Sequence, residues 1–424
     1  MLIPPESYVR SLADRNSWIK YHDDLVSEDG RAIPYVTLSN SKSSNKKLRI
    51  WIQGGQHGDE PAGDQGVLAL LGKFANNTSW TTSFLSRIDL TILPRYNVDG
   101  VEYFQRQLAS NYDPNRDHAS NFDPHIYVDA HECTGVSPVV QRYIRAQDLL
   151  VSANKNPNIN PAIRALNEEF VSDIFAAAEE KGLRVGPYFT TSVANDTITI
   201  QEPDWHAQAN HKGAGNYQSL TFLVEMRGIR LARQHFQRRV ASQVLTLETI
   251  TNKTIAEFDT VYSTIETSRR AFIESKDAIV VLDEYGITHK SIEFLDKDTG
   301  ALVNVTVRSQ NSDPSTILLT RARPRAYIFS PALASVASRL RVFGVNVTQL
   351  PTAFSGDVEA LTVETVVLAK TKFEGIAGTT VTTRTARRQS NAGYAFVLLE
   401  PEGVANLVGY NIVSVEGGMS TRFL

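Results

Sequence analysis

The residues best suited to bind a metal ion are His57 and Glu60, which follow the apolar run Leu48–Ile52. Imidazole and carboxylate are both good Zn²⁺ ligands, and side chains three residues apart converge when the chain turns helically. His131, just after a second apolar run (Ile126–Ala130), would complete a His-Glu-His set and leave the fourth zinc position for water. The alternative for His131 is a hydrogen-bonded histidine of the core.

A third apolar run, Ser219–Val224, is followed by Glu225. A carboxylate at the end of a buried strand lies in low-dielectric surroundings, which raise its pKa toward the range useful in proton transfer. The alternative is an ordinary salt bridge from Glu225 to Arg227 or another neighbour. Glu132 is a rival for the base, but strand alternation would point it away from His131, so Glu225 is preferred.

A polar segment, Tyr112–Asp117, is preceded by Arg106. Arg106 and Arg116, with Asn115 between them, could clamp an anionic substrate group near a metal, because guanidinium forms paired hydrogen bonds with carboxylates. The alternative is a solvated polar loop. Both interpretations stay open at this point.

The composition indicates a soluble globular protein, with 42% hydrophobic and 21% charged residues in a chain of 424. A net charge of −3 gives no electrostatic argument for binding nucleic acid or an anionic membrane. No apolar run reaches the ~18 residues of a membrane span. The single cysteine, Cys133, excludes an internal disulfide framework and a multi-thiolate zinc site, and we interpret it as a structural thiol.

Two features of the sequence bear on the cellular compartment. Residues 1–10 lack a basic start followed by an apolar core, so we expect no signal peptide within this sequence. Six Asn-x-Ser/Thr sequons favour secretion slightly. We therefore expect either an intracellular protein or the mature form of a secreted one, with secretion slightly favoured.

Apolar runs alternate with helical patterns over roughly the first 270 residues, and this alternation predicts an α/β fold. The predicted strands are Leu48–Ile52, Ile88–Leu93, Ile126–Ala130 and Ser219–Val224. The predicted helices are Ala62–Phe74, Pro161–Lys181 and a long one from about Leu231 to Ser275 with a break near Asn252. Because the strands are mostly apolar rather than alternating, we expect a mixed, mostly parallel sheet with helices on both faces.

The composition changes after about residue 275. Segments rich in Val, Ile and Thr, separated by turn residues, predict a smaller, mainly β region. These segments are Ala278–Leu282, Ile292–Leu295, Ala301–Val307, Ala360–Ala369, Thr379–Thr385 and Ala395–Leu399, with one helix at about Ser330–Phe343. We therefore expect two domains, residues 1–275 and 276–424.

Taken in order, the polar segments resemble the zinc carboxypeptidase family (carboxypeptidase A-like metallopeptidases). The order is His57-x-x-Glu60, Arg106, Asp-Pro-Asn-Arg at 113–116, Asp-Ala-His131 and a strand that ends in Glu225. Asn-Val-Asp-Gly at 97–100 is also similar to the Asn-Pro-Asp-Gly turn of the family. The resemblance spans about residues 7–230, and the C-terminal region resembles the accessory β domain of a less-studied microbial branch.

The resemblance implies a carboxypeptidase-like fold and one zinc ion bound by His57, Glu60 and His131. Glu225 would be the general base that activates the metal-bound water. Arg106 would polarise the scissile carbonyl and stabilise the oxyanion.

The resemblance also implies that Asn115 and Arg116 hold the terminal carboxylate of the substrate, and that Asp113 supports a ligating histidine. The family has Arg or another polar contact between the His and Glu ligands, where this chain has Gly58 and Asp59. Tyr188 and Tyr217 are both candidates for the active-site tyrosine of the family.

The function implied by the resemblance is that of a zinc-dependent metallocarboxypeptidase, a protease that removes C-terminal residues from peptides. The expected partner is a peptide or small amide with a free carboxylate, with no nucleic acid or membrane partner. One alternative is a zinc amidohydrolase that acts on N-acyl amino acids or small amides. Another is an inactive relative that binds peptides, which the complete ligand set and Glu225 argue against.

Overall fold

The computed structural model describes residues 5–40, 46–116, 123–136, 139, 142–195, 197–203, 209–323, 327–329, 333–342, 347–349, 354–373 and 376–392. The strands in these ranges are β1 (Ile19–His22), β2 (Tyr35–Leu38), β3 (Leu48–Gly54), β4 (Ile88–Leu93), β5 (Ile126–Thr134), β6 (Tyr143–Arg145), β7 (Leu149–Ala153), β8 (Val185–Pro187), β9 (Thr190–Ala194), β10 (Thr197–Gln201), β11 (Leu220–Ile229), β12 (Ile279–Asp296), β13 (Leu302–Arg321), β14 (Phe354–Phe373) and β15 (Ile376–Ala392).

The α-helices of the described chain are α1 (Pro5–Arg15), α2 (Pro61–Asn76), α3 (Thr78–Leu85), α4 (Val98–Tyr103), α5 (Pro161–Glu180), α6 (Asn210–Gly215), α7 (Phe236–Ala256), α8 (Phe258–Glu274) and α9 (Ala334–Val342). A 3₁₀ turn covers Pro114–Arg116. Among the residues described, none of these helices combines the length and the apolar character needed to cross a bilayer.

The larger sheet has eight strands in the order β1-β2-β4-β3-β5-β11-β7-β8. Its central strands β4, β3, β5 and β11 are parallel, as are β7 and β8, while the pairs β1–β2, β2–β4 and β11–β7 are antiparallel. The predicted mixed, mostly parallel sheet is confirmed. The carboxyl ends of β3, β5 and β11 therefore lie side by side, which is where open α/β sheets bind ligands.

One face of this sheet is covered by α2, α5 and α7. The ring of Phe222 in β11 packs on Phe170 in α5, with centroids 5.7 Å apart, and burying each ring stabilises the fold by about 1.5–3 kcal/mol. Helix α5 begins where predicted, because the Asn160 side chain accepts a hydrogen bond from the N–H of Ala162 (2.9 Å). This layer and the sheet share the main hydrophobic core.

The opposite face is covered by α6 and by a second sheet of order β6-β12-β13-β10-β9. A smaller core lies between the two sheets. It contains Cys133, Leu150, Phe189, Ile198, Ile200, Phe294 and Val307. Strand β10 pairs in parallel with β13, so the second sheet combines strands from both sides of residue 275. The division into domains at residues 275 and 276 stays a prediction.

Two details differ from the sequence-based expectation, and one prediction is untested. The long helix breaks at Glu257 rather than near Asn252, because the chain turns there and buries Phe258 in the core. Strand β12 runs continuously through the two short strands predicted at 278–282 and 292–295. The predicted strand at 395–399 lies outside the described residues.

Candidate active site

The turn between β3 and α2 places His57 and Glu60. The strand ends at Gly54, Gly55 adopts a φ of +58°, and Glu60 is the residue that precedes the first turn of α2. Gly58 is packed so tightly that a Cβ atom there would overlap the backbone of Gly100. A side chain between the two predicted ligands is therefore excluded for steric reasons at position 58.

The donor atoms of His57, Glu60 and His131 converge on one point. His57 Nδ1 lies 2.6 Å from Glu60 Oε1, and His131 Nδ1 lies 2.8 Å from Glu60 Oε2. The two Nδ1 atoms are 3.2 Å apart, and all three side chains are buried. Two imidazole nitrogens and a carboxylate in this arrangement form a donor set suited to Zn²⁺.

Two buried carboxylates lie behind the histidines. Asp113 Oδ1 is 3.2 Å from His57 Nε2, and Asp129 Oδ1 is 3.0 Å from His131 Nε2. Such contacts fix the ring orientation and leave Nδ1 directed at the metal position. Asp113 lies where the resemblance implies. The role of Asp129 was missed, although its position two residues before His131 on the same strand face was a usable signal.

The electrostatics of this cluster favour a bound cation. Burial opposes protonation of His131, but Asp129 and Glu60 outweigh it and raise its pKa well above the ordinary value. The pKa of His57 is also raised, because Glu60 and Asp113 outweigh burial and the nearby Arg106. Negative charge around two imidazoles stabilises a positive charge between them, whether a proton or a metal ion.

Glu225 lies beside this cluster on the neighbouring strand. It is directly opposite His131 in the parallel pairing of β11 with β5. Its Oε2 atom is buried and has no hydrogen-bond partner in the described part of the chain. Burial, reinforced by Glu60, raises the pKa of Glu225 to about 7. An available carboxylate with this pKa can accept a proton near neutral pH.

Glu132 points to the other face of β5, as strand alternation predicts. Its Oε2 atom accepts a hydrogen bond from the N–H of Ala62 (3.0 Å), and its Oε1 atom accepts one from Arg239 Nε (2.6 Å). The Glu132 N–H donates to Glu60 Oε2 (3.0 Å). Glu132 therefore connects the segments that carry the predicted metal ligands and is not placed to act as the base.

Arg106 is held at the rim of the cluster. It donates to Asp113 Oδ2 through Nη2 (2.8 Å) and Nε (3.2 Å), and its Nη1 lies 3.0 Å from His57 Nδ1. The Asn97 side chain fixes the loop by donating to the Arg106 carbonyl (3.2 Å). The guanidinium is thus within reach of a substrate group at the metal position.

The segment 113–116 is organised by Asp113, which is fully buried. Its Oδ1 atom accepts the N–H of Asn115 (2.8 Å), and the Asn115 side chain accepts the N–H of Asn210 at the start of α6 (3.0 Å). Asn115 lines the cleft beside the metal ligands. Arg116 ends the 3₁₀ turn, and its side chain lies outside what the structure describes.

These residues open into a cleft of about 620 Å³ between the two sheets. The second sheet contributes one wall through residues such as Thr191 and Gln201. Tyr188 also lines the cleft, whereas the backbone carbonyl of Tyr217 accepts a hydrogen bond from Arg269 (3.1 Å) before β11 begins. Of the two tyrosine candidates, Tyr188 is the one that a substrate would meet.

The comparison with solved structures matched this chain to two metallo-carboxypeptidases. One from Burkholderia cenocepacia aligns with 60% of this chain and 68% of its own, with a TM-score of 0.46 and 15% identity. Another, from Pseudomonas aeruginosa, aligns with 61% of this chain and 70% of its own, with a TM-score of 0.42 and 18% identity.

Sequence comparison gives the firmer assignment. The family model described as zinc carboxypeptidase matches residues 6–169. Carboxypeptidase 2 of Trichophyton equinum and that of Trichophyton rubrum are each 39% identical to this chain over 451 aligned positions, which cover 97% of this chain and 84% of the relative. This chain therefore belongs to the zinc carboxypeptidase family.

Proposed function

We propose that this protein is a metallocarboxypeptidase that uses one zinc ion to remove C-terminal residues from peptides. The observation that carries the proposal is the convergence of His57, Glu60 and His131 beside the buried carboxylate of Glu225. The relatives named carboxypeptidase 2 support the same reaction.

The donor set fits a single zinc ion. Two imidazole nitrogens and one carboxylate would bind it, and the carboxylates of Asp113 and Asp129 would support the two histidines. Zinc, when bound, supplies a Lewis acid that polarises a carbonyl and lowers the pKa of water to about 7.

Glu225 would take the proton from the attacking water at its Oε2 atom, which has no hydrogen-bond partner among the residues described. Its raised pKa suits this role, because a carboxylate with a pKa near 7 can both accept a proton and pass it to the leaving amine. Arg106 would stabilise the negative charge that develops on the former carbonyl oxygen.

Asn115 and Arg116 would hold the terminal carboxylate of the peptide. Arg116→Ala should therefore weaken the turnover of substrates with a free carboxylate. Amidated substrates, which lack the charge, should lose little. An equal loss for both substrate types would contradict this role.

The amidohydrolase alternative differs in its substrates. A carboxypeptidase should hydrolyse blocked dipeptides faster than N-acetyl amino acids, because the peptide fills more of the cleft of about 620 Å³. A preference for N-acetyl amino acids would favour the amidohydrolase. Secretion is part of our proposal as well, and detection of the protein in the culture medium of its source would test it.

The proposed roles are tested by Glu225→Gln, which keeps the side-chain shape and removes the base. We expect the variant to lose turnover by at least about a thousandfold while its zinc content stays at one ion per chain. Glu180→Gln, an exposed change at the end of α5, serves as the matched control. Full activity of Glu225→Gln, or absence of zinc from the purified protein, would contradict the proposed function.

A further inference from the structure

The cleft has two ends, which the register of β7 against β11 distinguishes. Glu225 is opposite Leu150, one position before the last pair, Met226 with Leu149. Asn154, just after β7, donates to the carbonyl of Lys212 in α6 (2.9 Å), so α6 lies at one end. The other end lies before Leu149, where β6 ends. We call these the α6 end and the β6 end.

Different residues occupy the two ends. Asn115 lies at the α6 end, because its side chain accepts the N–H of Asn210 in α6. Arg145, the last residue of β6, lies at the β6 end and lines the cleft. Arg145 is next to Cys133, which follows His131 by two residues, a distance of about 6.6 Å along the strand.

Among the residues described, Arg145 keeps hydrogen-bonding capacity beyond its contacts with Cys133 and Phe189. Its Nη2 donates to the carbonyl of Phe189 (2.7 Å), and its guanidinium carbon is 4.8 Å from the centroid of the Phe189 ring. Its Nε is buried without a hydrogen-bond partner among the residues described. Within that part of the chain, no carboxylate lies within 4.0 Å of this guanidinium.

Glu202, another carboxylate that lines the cleft, already has hydrogen-bond partners. Glu202 accepts hydrogen bonds from Lys290 Nζ (3.1 Å) and from the N–H and hydroxyl of Ser312 (both 3.1 Å). It also lies 3.4 Å from Lys155 Nζ. Glu202 is therefore satisfied by its own partners, and within the described chain no carboxylate forms a salt bridge with Arg145.

We propose that Arg145 recognises an acidic side chain in the acyl part of the peptide, on the N-terminal side of the bond that is cleaved. This inference rests on the proposed function, in which Asn115 holds the terminal carboxylate at the α6 end. The rest of the peptide then passes His131 and Glu225 and reaches the β6 end. A guanidinium there pairs with a carboxylate through two hydrogen bonds, and it pairs poorly with the neutral amide of the same shape.

The test uses four blocked tripeptides with the same C-terminal residue, the one released fastest from a peptide mixture. They carry Glu or Gln at the penultimate or the antepenultimate position. We expect kcat/KM to favour Glu over Gln by about tenfold at one of these positions, which corresponds to about 1.4 kcal/mol. The preference should decrease as salt is added.

Substitutions at Arg145 test whether this residue causes the preference for Glu over Gln substrates. Arg145→Gln should bring the ratio of Glu to Gln substrates close to one and leave the Gln substrate within about twofold of its original kcat/KM. Arg145→Lys should keep part of the preference, and Arg10→Gln, an exposed change on α1, should keep all of it. These ratios compare two substrates in one sample, so a loss of folded protein does not alter them.

Two results would overturn the inference. The first is equal turnover of Glu and Gln substrates at both positions by the unchanged protein. The second is a preference that survives Arg145→Gln. In both cases the peptides are still cleaved and the proposed function stands, whereas cleavage of none of the peptides would reject both.

Discussion

Asp129 offers a direct test of how the protein supports its metal site. Its Oδ1 atom lies 3.0 Å from His131 Nε2, and both side chains are buried. Asp129→Asn keeps the shape of the side chain and removes its charge. We expect the histidine to become a weaker ligand, because the carboxylate no longer increases the basicity of the ring.

The size of the effect follows from this geometry. Two unit charges 3.0 Å apart interact by about 5 kcal/mol at an effective dielectric constant of about 20. The metal-bound imidazole carries only part of a charge, and an asparagine keeps a polar oxygen at this position, so the expected loss is smaller. We predict a loss of about 10- to 100-fold in zinc affinity, or about 1.4–2.7 kcal/mol.

The assay is competition for zinc with a chromophoric chelator at pH 7. Asp89→Asn is the matched control, because Asp89 pairs with Lys47 in the sheet and contacts none of the predicted ligands among the residues described. The control should bind zinc as tightly as the unchanged protein. If Asp129→Asn folds normally and also keeps its zinc affinity, the supporting role of Asp129 is refuted.

Three further predictions concern groups outside the metal set. Burial raises the pKa of the Cys133 thiol to about 12, so iodoacetamide at pH 8 should modify native protein at least about a hundredfold more slowly than unfolded chain. Gly58→Ala should lower the thermal unfolding midpoint by about 2–4 °C or more, because a Cβ would overlap the backbone of Gly100. Burial lowers the pKa of His125 from 6.5 to about 4, so between these values the unfolded chain binds more protons. Stability should therefore fall as the pH drops from 6.5 to 4, by up to about 3 kcal/mol at this site, and urea unfolding of the unchanged protein and of His125→Gln should measure it.

Each of these predictions has a clear contrary result. Similar alkylation rates for native and unfolded protein would mean that Cys133 is accessible. An unchanged unfolding midpoint for Gly58→Ala would mean that the turn can shift away from Gly100. A stability difference between the unchanged protein and His125→Gln that stays constant from pH 6.5 to 4 would mean that His125 does not titrate on unfolding.

The sequence was sufficient for the elements that carry the site. Strands β5 and β11, which lead to His131 and Glu225, are buried on both faces, so their continuous apolar runs were visible without a structure. Strand β3, which leads to Glu60, alternates at its start between buried and half-buried residues. The resemblance to the family then implied a role for each polar residue at the ends of these strands. Strand alternation was also enough to separate Glu132 from His131, because side chains on a strand point alternately to its two faces.

The sequence was insufficient where contacts are non-local. The pairing of β10 with β13 joins residues more than a hundred positions apart, and no local pattern predicts such a partner. Arg145 lies in a three-residue strand that is too short for any periodic signal, so its place in the cleft was not predicted. The helix break at Glu257 depends on where Phe258 is buried, which is decided by tertiary packing.

The central claim is that zinc held by His57, Glu60 and His131 supports the removal of C-terminal residues. The most direct measurement is mass spectrometry of a defined peptide mixture after incubation with the protein, with a chelator, and with zinc restored. We predict the stepwise loss of single C-terminal residues, which stops with the chelator and returns with zinc. Products cut internally or from the N-terminus, or C-terminal cleavage that continues when zinc has been removed, would contradict the account.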